Sequence, residues 1–286
     1  MKKFILITVC FLLSFSLAPA VEFYRVEDYA LQVLNSFRAN PLSYEGGLGI
    51  DDGAVREAWG EYYYLLERGL PLFRLDERLN QAARAKITDM VQKSYFSVIS
   101  PEGVGPDELV EQHGVSSLIS GVSIAYVAFE HLIPAERALD YMLDLLKKNS
   151  LLMQNQTSSS LLFPAYTHVG VALASVGLDT GYGRLNVYLL CLVFASEPGG
   201  GEGSVFAVGR TDGGCNFIYR DPMLRYYRPL LFPDGSYYAP VPAGLNLLFY
   251  GPNSNRMLLI MGSPVRVDLF VDPDSSCRVE AKGLPR

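Results

Sequence analysis

Apolar positions recur at helical spacing through much of the N-terminal two thirds of the chain. Tyr29, Ala30, Val33, Leu34 and Phe37 share one side of a predicted helix over Val26 to Ala39, which Asn40-Pro41 ends. Ala82, Ala83, Ile87, Met90 and Val91 mark a second helix from Leu75 to Lys93. Ala138, Tyr141, Met142 and Leu145 mark a third from Pro134 to Lys148, with Pro134 suited to a first turn and Lys147 and Lys148 to the C-terminal dipole. Arg56 to Arg68, carrying Trp59, Tyr62, Tyr63 and Tyr64, reads as one helix stopped by Gly69-Leu70-Pro71, and Pro106 to His113 as a short one stopped by Gly114. The period then changes. Val122 to Ala128 fits a short strand or buried loop, while His168 to Val176 and Arg184 to Ala195 are strands joined by a glycine-containing turn. Helices followed by an antiparallel sheet predict an α+β layer fold. Past Pro198 to Gly203 only strand patterns remain: Val205–Val208, Cys215–Tyr219, Leu245–Tyr250, Met257–Met261 and Val265–Val271. They suggest a small β-sandwich-like or barrel-like module.

Composition narrows the setting. The chain has 286 residues, 49% apolar and 19% charged, so it can bury a sizeable core. A net charge of -6 with no basic cluster excludes nucleic acid as an expected partner. Three histidines leave little material for a multi-His metal site. Lys2 and Lys3, the apolar run Ile5 to Leu17 and Ala18-Pro19-Ala20 form a secretory signal. The expected mature chain starts near Val21, after cleavage near Ala20, is secreted or periplasmic, and has no transmembrane segment. Cys10 leaves with the signal. Cys191 sits in a continuous apolar strand and reads as a buried free thiol, and Cys215 and Cys277 are a possible disulfide that the odd count leaves open.

The stretch Tyr95-Phe96-Ser97-Val98-Ile99-Ser100-Pro101-Glu102-Gly103 follows the second helix as an aromatic pair and a polar turn. Together with Phe73-Arg74-Leu75-Asp76-Glu77-Arg78-Leu79-Asn80-Gln81-Ala82-Ala83, Leu34 to Pro41 and Tyr166-Thr167-His168-Val169-Gly170-Val171-Ala172, in that order along Tyr24 to Ser196, it resembles the CAP superfamily of secreted proteins in its bacterial, SCP-like form. The resemblance implies a three-layered α-β-α sandwich. It divides the chain into a signal at 1–20, a CAP-like domain at 21–197, a Gly-rich linker at 198–203 and a β-rich module at 204–286 that the resemblance does not cover.

Many members of that family carry two His and two acidic residues in one cavity, a set able to hold a divalent metal. By resemblance Val98 stands where the first His would be, Val122 replaces a Glu, Lys147 replaces the last His, and Asp144 alone is acidic. Valine offers no lone pair and an ammonium repels a cation. The resemblance therefore implies one shallow cavity lined by Tyr95, Val98, Val122, Asp144 and Lys147, no metal, no cofactor and no catalytic residue. Asp144 is expected to pair with Lys147 or Lys148 at helical spacing. His113, His131 and His168 lie outside those positions, and Ser97, Ser100 and Ser123 have no His partner by sequence. The expected function is non-catalytic binding of an apolar, lipid-like small molecule or of an envelope or extracellular macromolecule. The alternatives are a hydrolase using other residues and a scaffold for the β module. The aromatic segments Trp59 to Tyr64 and Arg225 to Tyr238 supply either binding surface or packing between domains.

Overall fold

A computed structural model describes residues 20–154, 159–180, 183–197, 206–242, 244–251, 256–261 and 264–282. All but the last residue of the expected signal at 1–20, the Gly-rich segment 198–203, Val205 and most of the Gly251-Pro252-Asn253 turn lie outside the described residues. The N-terminal half runs β1 (Glu22–Tyr24), α1 (Glu27–Ala39), α2 (Glu45–Leu48), α3 (Asp52–Trp59), α4 (Tyr63–Arg68), β2 (Arg74–Leu75), α5 (Glu77–Gln92), α6 (Pro106–Gln112), β3 (Ser120–Phe129), α7 (Ala135–Leu151), β4 (His168–Thr180) and β5 (Gly183–Ala195). β3 is a full ten-residue strand. The single helix expected over Arg56 to Arg68 is interrupted. Gly60 takes φ +50°, a region open chiefly to glycine, and a 3-10 turn over Gly60–Tyr62 separates α3 from α4. Asp51 caps α3 by accepting from Ala54 N, and Asp52 accepts from Tyr63 and Arg56, so this acidic pair is spent on local structure.

The central sheet has the order β1-β4-β5-β3, with antiparallel β4–β5 and β3–β5 pairs and with β2 parallel to β4. Its alternation sends side chains to two separate cores. Val169, Val171 and Leu173 join Leu190, Leu192 and Phe194 against the α1 and α7 side, where Leu34, Phe37, Leu139, Met142 and Leu146 are buried. Ala172, Ala174, Leu189, Cys191 and Val193 face the opposite way, onto Ala82, Ala83, Ile87 and Met90 of α5 and Leu109 and Val110 of α6. This is an α-β-α sandwich. Its α5 layer lies unusually close to the sheet: a Cβ on Gly170 would stand 2.0 Å from the carbonyl carbon of Leu79. Asn80, buried there, accepts from Val171 N at 2.8 Å and completes the hydrogen bonding at this contact. On the other side the wholly buried Arg38 donates to the carbonyls of Pro71, Leu161, Phe163 and Tyr166, tying two loops to the end of α1. Burial without a carboxylate lowers its guanidinium to about 9.

The C-terminal strands are β6 (Ala207–Arg210), β7 (Phe217–Arg220), β8 (Tyr226–Tyr227), β9 (Leu230–Leu231), β10 (Ser236–Ala239), β11 (Leu245–Tyr250), β12 (Arg256–Met261), β13 (Val265–Val271) and β14 (Cys277–Lys282). They build two stacked sheets of order β14-β13-β6-β10-β9 and β12-β11-β7-β8. The core between them holds Phe217, Tyr219, Tyr237, Leu248, Ile260, Val265, Val267 and Leu269. Cys215 and Cys277 are bonded, with Cα atoms 5.9 Å apart, and Cys191 is free and buried. Among the described residues, no helix is long and apolar enough to cross a membrane.

The C-terminal strands share a core with the N-terminal half. The outer face of the five-stranded sheet contributes Phe206, Val208, Leu230 and Phe232 to the same core as α1 and α7. The Phe232 ring stands 6.0 Å from Trp59 and 4.9 Å from Phe163. Tyr62 donates to the carbonyl of Arg228, and Ser159 Oγ to Asp234 at 2.8 Å. Within the aromatic segment Trp59 to Tyr64, Trp59 and Tyr62 therefore pack between the two halves, while Tyr63 bonds Asp52 and Tyr64 is exposed.

Candidate functional site

The five positions proposed for one cavity fall on opposite sides of the sheet. Tyr95 and Val98 pack, half buried, against the α5–α6 core, and Val122 is wholly buried within it. Asp144 and Lys147 belong to α7, on the other face. Even-numbered residues of β3 point away from α7, so Val122 cannot meet either of them. The segment that reaches β3 after α7 is Ser159, whose N–H donates to Val122 O at 3.0 Å and whose carbonyl accepts from Ser123 Oγ. Lys147 is buried, with Nζ 3.1 Å from Asp144 Oδ1 and 5.0 Å above the Tyr44 ring. Asp144 itself is largely exposed.

What the structure does bring together is a groove of about 520 Å³ between α5, α6 and the turn after Tyr95, lined by Lys86, Asp89, Lys93, Glu102, Leu109 and His113 among others. Its floor is a chain of polar contacts. Lys86, only 4% exposed, donates from Nζ to Tyr95 Oη at 2.9 Å, and Tyr95 donates to Asp89. Asp89 pairs with Lys93 at 2.7 Å, and Lys93 with Glu102 at 2.8 Å. Burial lowers the Lys86 ammonium. Burial, then the bond to Asp89, raises the Tyr95 phenol. Burial would raise Asp89, but the bonds from Lys93 and Tyr95 outweigh it and hold the carboxylate low. Two ammonium and two carboxylate groups alternate, so the groove favours neither a bare cation nor a bare anion.

Beside this floor the turn presents an apolar rim. Phe96 and Ile99 are exposed, as is Tyr126 of β3, and Phe96 meets Tyr126 edge to face at 5.1 Å. Lys86 was missed in the sequence, although its signal was there: it stands on the apolar face of α5, one turn from Ala82, Ala83 and Met90. Ser100 Oγ accepts from the N–H groups of Glu102 and Val104, and Ser123 bonds Ser159, which accounts for both hydroxyls locally. His113 Nδ1 lies 2.8 Å from Leu109 O, His168 Nδ1 lies 2.9 Å from Thr167 Oγ1, and His131 is exposed. Among the described residues no three His, Cys, Asp or Glu side chains group as metal ligands.

Comparison with known proteins places the chain. The profile of the family described as CAP, Cysteine-rich secretory protein family, matches residues 31–193. The Uncharacterized protein YkwD of Bacillus subtilis (strain 168) is 31% identical over 111 residues, which are 39% of this chain and 38% of that protein. The match thus spans well under half of the relative. Two solved structures are more distant. An extracellular protein containing a SCP domain from Bacillus anthracis str. Ames is 15% identical, over 60% of this chain and 42% of its own, with a TM-score of 0.33. An outer surface protein from Borrelia burgdorferi is 11% identical, over 62% of this chain and 100% of its own, also with a TM-score of 0.33. Because the family profile covers more than half of the 286 residues, and does so across the helices and strands that build the α-β-α sandwich, the chain belongs to the CAP, or cysteine-rich secretory protein, family.

Proposed function

We propose that this is an exported, non-catalytic CAP-domain binding protein that recognises an apolar small molecule or an envelope or extracellular macromolecule. The observation that carries the reading is the exposed aromatic and apolar patch of Phe96, Ile99 and Tyr126 beside half-buried Val98, on the turn that leads from Tyr95 to the groove residues Ser100 and Glu102. Rigid aromatic side chains offer contact area at small entropic cost, and the balanced charges beneath them suit an amphipathic ligand. Apolar Val98 at a family ligand position supports binding without metal chemistry. Export rests on residues 1–20, and the boundaries 21–197, 198–203 and 204–286 are part of the same proposal. Titration of the chain with a fluorescent long-chain amphiphile, and pull-down on isolated envelope material, tests it. Phe96→Ala and Tyr126→Ala should each weaken binding about tenfold while leaving the fold intact. Binding that neither substitution changes, or turnover of the ligand, overturns the reading.

The scaffold reading has its own support in the apolar core that the CAP domain shares with the β sandwich around Phe232. It predicts that neither aromatic substitution alters any binding by the intact chain.

A further inference from the structure

The five-stranded C-terminal sheet is covered on both faces, by the CAP domain and by the second sheet. The four-stranded sheet is covered on one. Its strand register fixes what the outer face shows. Arg220 pairs with Tyr226 and with Leu247, and Leu247 with Leu259, so these four form one row across all four strands. Ile218, Phe249 and Met257 form the next. Tyr226, Leu245, Met257 and Leu259 are exposed there. The β7–β8 turn continues the surface outward: Pro222 to Tyr226 is exposed throughout, Met223 at 77% and Leu224 at 64%. Leu224 also holds φ +66°, a conformation that disfavours any β-carbon. An apolar side chain is thus displayed in water on a turn where glycine would be more stable, a local conflict of the kind that marks function.

The charge of this face is opposite to that of the chain. The whole sequence carries 30 acidic against 24 basic residues, yet the strands of this sheet contain no carboxylate, and Arg220 is the charged residue on their outer row. Arg220 lies 4.9 Å over the Phe249 ring, and its Nε has no hydrogen-bond partner among the described residues. Arg225, within the turn, pairs at 2.7 Å with the one acid there, the buried Asp221, which also accepts from Tyr227, and exposed Arg228 follows β8. Arg256 of β12 turns the other way, with Leu258 and Ile260, and donates to the carbonyl of Cys277 in the facing sheet.

We propose that the outer face of the β12-β11-β7-β8 sheet, led by the Met223-Leu224 turn, docks on an anionic lipid membrane. The turn enters the acyl boundary, Tyr226 lies at headgroup depth, and Arg220, Arg225 and Arg228 meet lipid phosphates. This site is separate from the groove under Tyr95, and it stands whether or not that groove binds a ligand.

The full chain without residues 1–20 is sedimented with vesicles of phosphatidylcholine, and with the same vesicles containing one third phosphatidylglycerol. Binding is expected to the anionic vesicles only, falling as sodium chloride is raised. Met223→Ser with Leu224→Ser should weaken it about tenfold, and Arg225→Gln with Arg228→Gln by a similar factor. Leu224→Gly separates docking from folding: it relieves the backbone, so it should melt no lower than the parent while still losing affinity. No sedimentation with anionic vesicles, equal binding to neutral ones, or full binding by the Met223/Leu224 variant each overturns the proposal. So does sedimentation equilibrium showing a dimer that the same variant dissolves, since the face would then belong to a second copy.

Discussion

Arg266 of β13 reaches out of the C-terminal sandwich and places Nη2 2.8 Å from Oδ2 of Asp107, at the start of α6 in the CAP domain. The same guanidinium donates to Asp268 and to the carbonyl of Leu118, and Arg210 donates to Ser120 O while lying 3.5 Å from Asp107. Burial pushes the Asp107 carboxyl up, but the bond from Arg266 and the charges of Arg210 and Arg266 outweigh it and hold the group low. A depressed carboxylate stabilises the fold above its unfolded value, near pH 4, and that stability fades as pH falls through the folded value. Asp107→Asn should therefore cost about 2–4 kcal/mol at neutral pH and flatten the acid limb of the stability curve below pH 4. Urea unfolding at pH 7 and pH 3 measures this. An unchanged difference between the two pH values would count against it.

Phe232 is the apolar counterpart of that ionic contact. Its ring fills the space between Trp59 and Phe163, so Phe232→Ala should cost about 3–4 kcal/mol. A fragment ending at residue 197 would expose the same pocket and should aggregate or melt well below the full chain. Protease nicking within the glycine run should still leave the two halves associated on a sizing column. Release of a stable, monomeric N-terminal piece would show that the shared core contributes little.

The layer order was legible because α1, α5, α7, β4 and β5 carry long, regular apolar periods. The break at Gly60 was not, since the apolar residues Trp59, Tyr62 and Tyr63 keep their spacing through it while only the φ of one glycine changes. β10 and β14 were missed for another reason. Ser236-Tyr237-Tyr238-Ala239 is flanked by Gly235 and Pro240, and Cys277 to Lys282 alternates with Arg278, Glu280 and Lys282, so both read as loop. The candidate cavity failed on one rule. Resemblance places Val122 and Lys147 by their order along the chain and says nothing about which face of β3 looks at α7. Strand alternation settles that only once the sheet order is known.

Asp144 and Lys147 were read as a helical pair, and they form one. The pair is half exposed and is worth about 0.3–0.5 kcal/mol. Its two partners contribute differently, because Lys147 also buries its stem and caps the Tyr44 ring while Asp144 faces water. Asp144→Ala should change stability by less than about 0.5 kcal/mol, and Lys147→Ala by about 1–2 kcal/mol through lost packing. Neither zinc nor magnesium is expected to give site-specific heat in calorimetric titration of the parent chain. A sub-micromolar zinc site that disappears in Asp144→Ala would overturn both this and the non-catalytic reading.

The Lys86–Tyr95 pair makes the most pointed pH prediction. Burial lowers the Lys86 ammonium relative to the unfolded chain, where lysine titrates near 10.4. Between the lowered folded value and that unfolded value the unfolded chain holds more protons at this group, so Lys86 should contribute a gain in stability as pH rises through that alkaline range, opposed by the loss contributed by the raised Tyr95 phenol. Lys86→Met keeps the length of the side chain and removes the charge. It should abolish the alkaline gain and leave neutral-pH stability equal to the parent or up to about 1–2 kcal/mol higher, as for other buried charges replaced by apolar groups. Tyr95→Phe does the reverse. It keeps the ammonium and deletes both its phenolic acceptor and the donor to Asp89, at a cost of about 1–3 kcal/mol. The double variant should be closer to Lys86→Met than the sum of the single effects, because Tyr95 then has no buried charge to serve. Chemical denaturation of the four proteins at pH 7 and pH 10 reads all of these quantities. A Lys86→Met chain that is more than about 3 kcal/mol less stable at pH 7 would mean that the ammonium is a structural keystone of the α5–α6 layer, and the groove would then have no group to spare for a ligand.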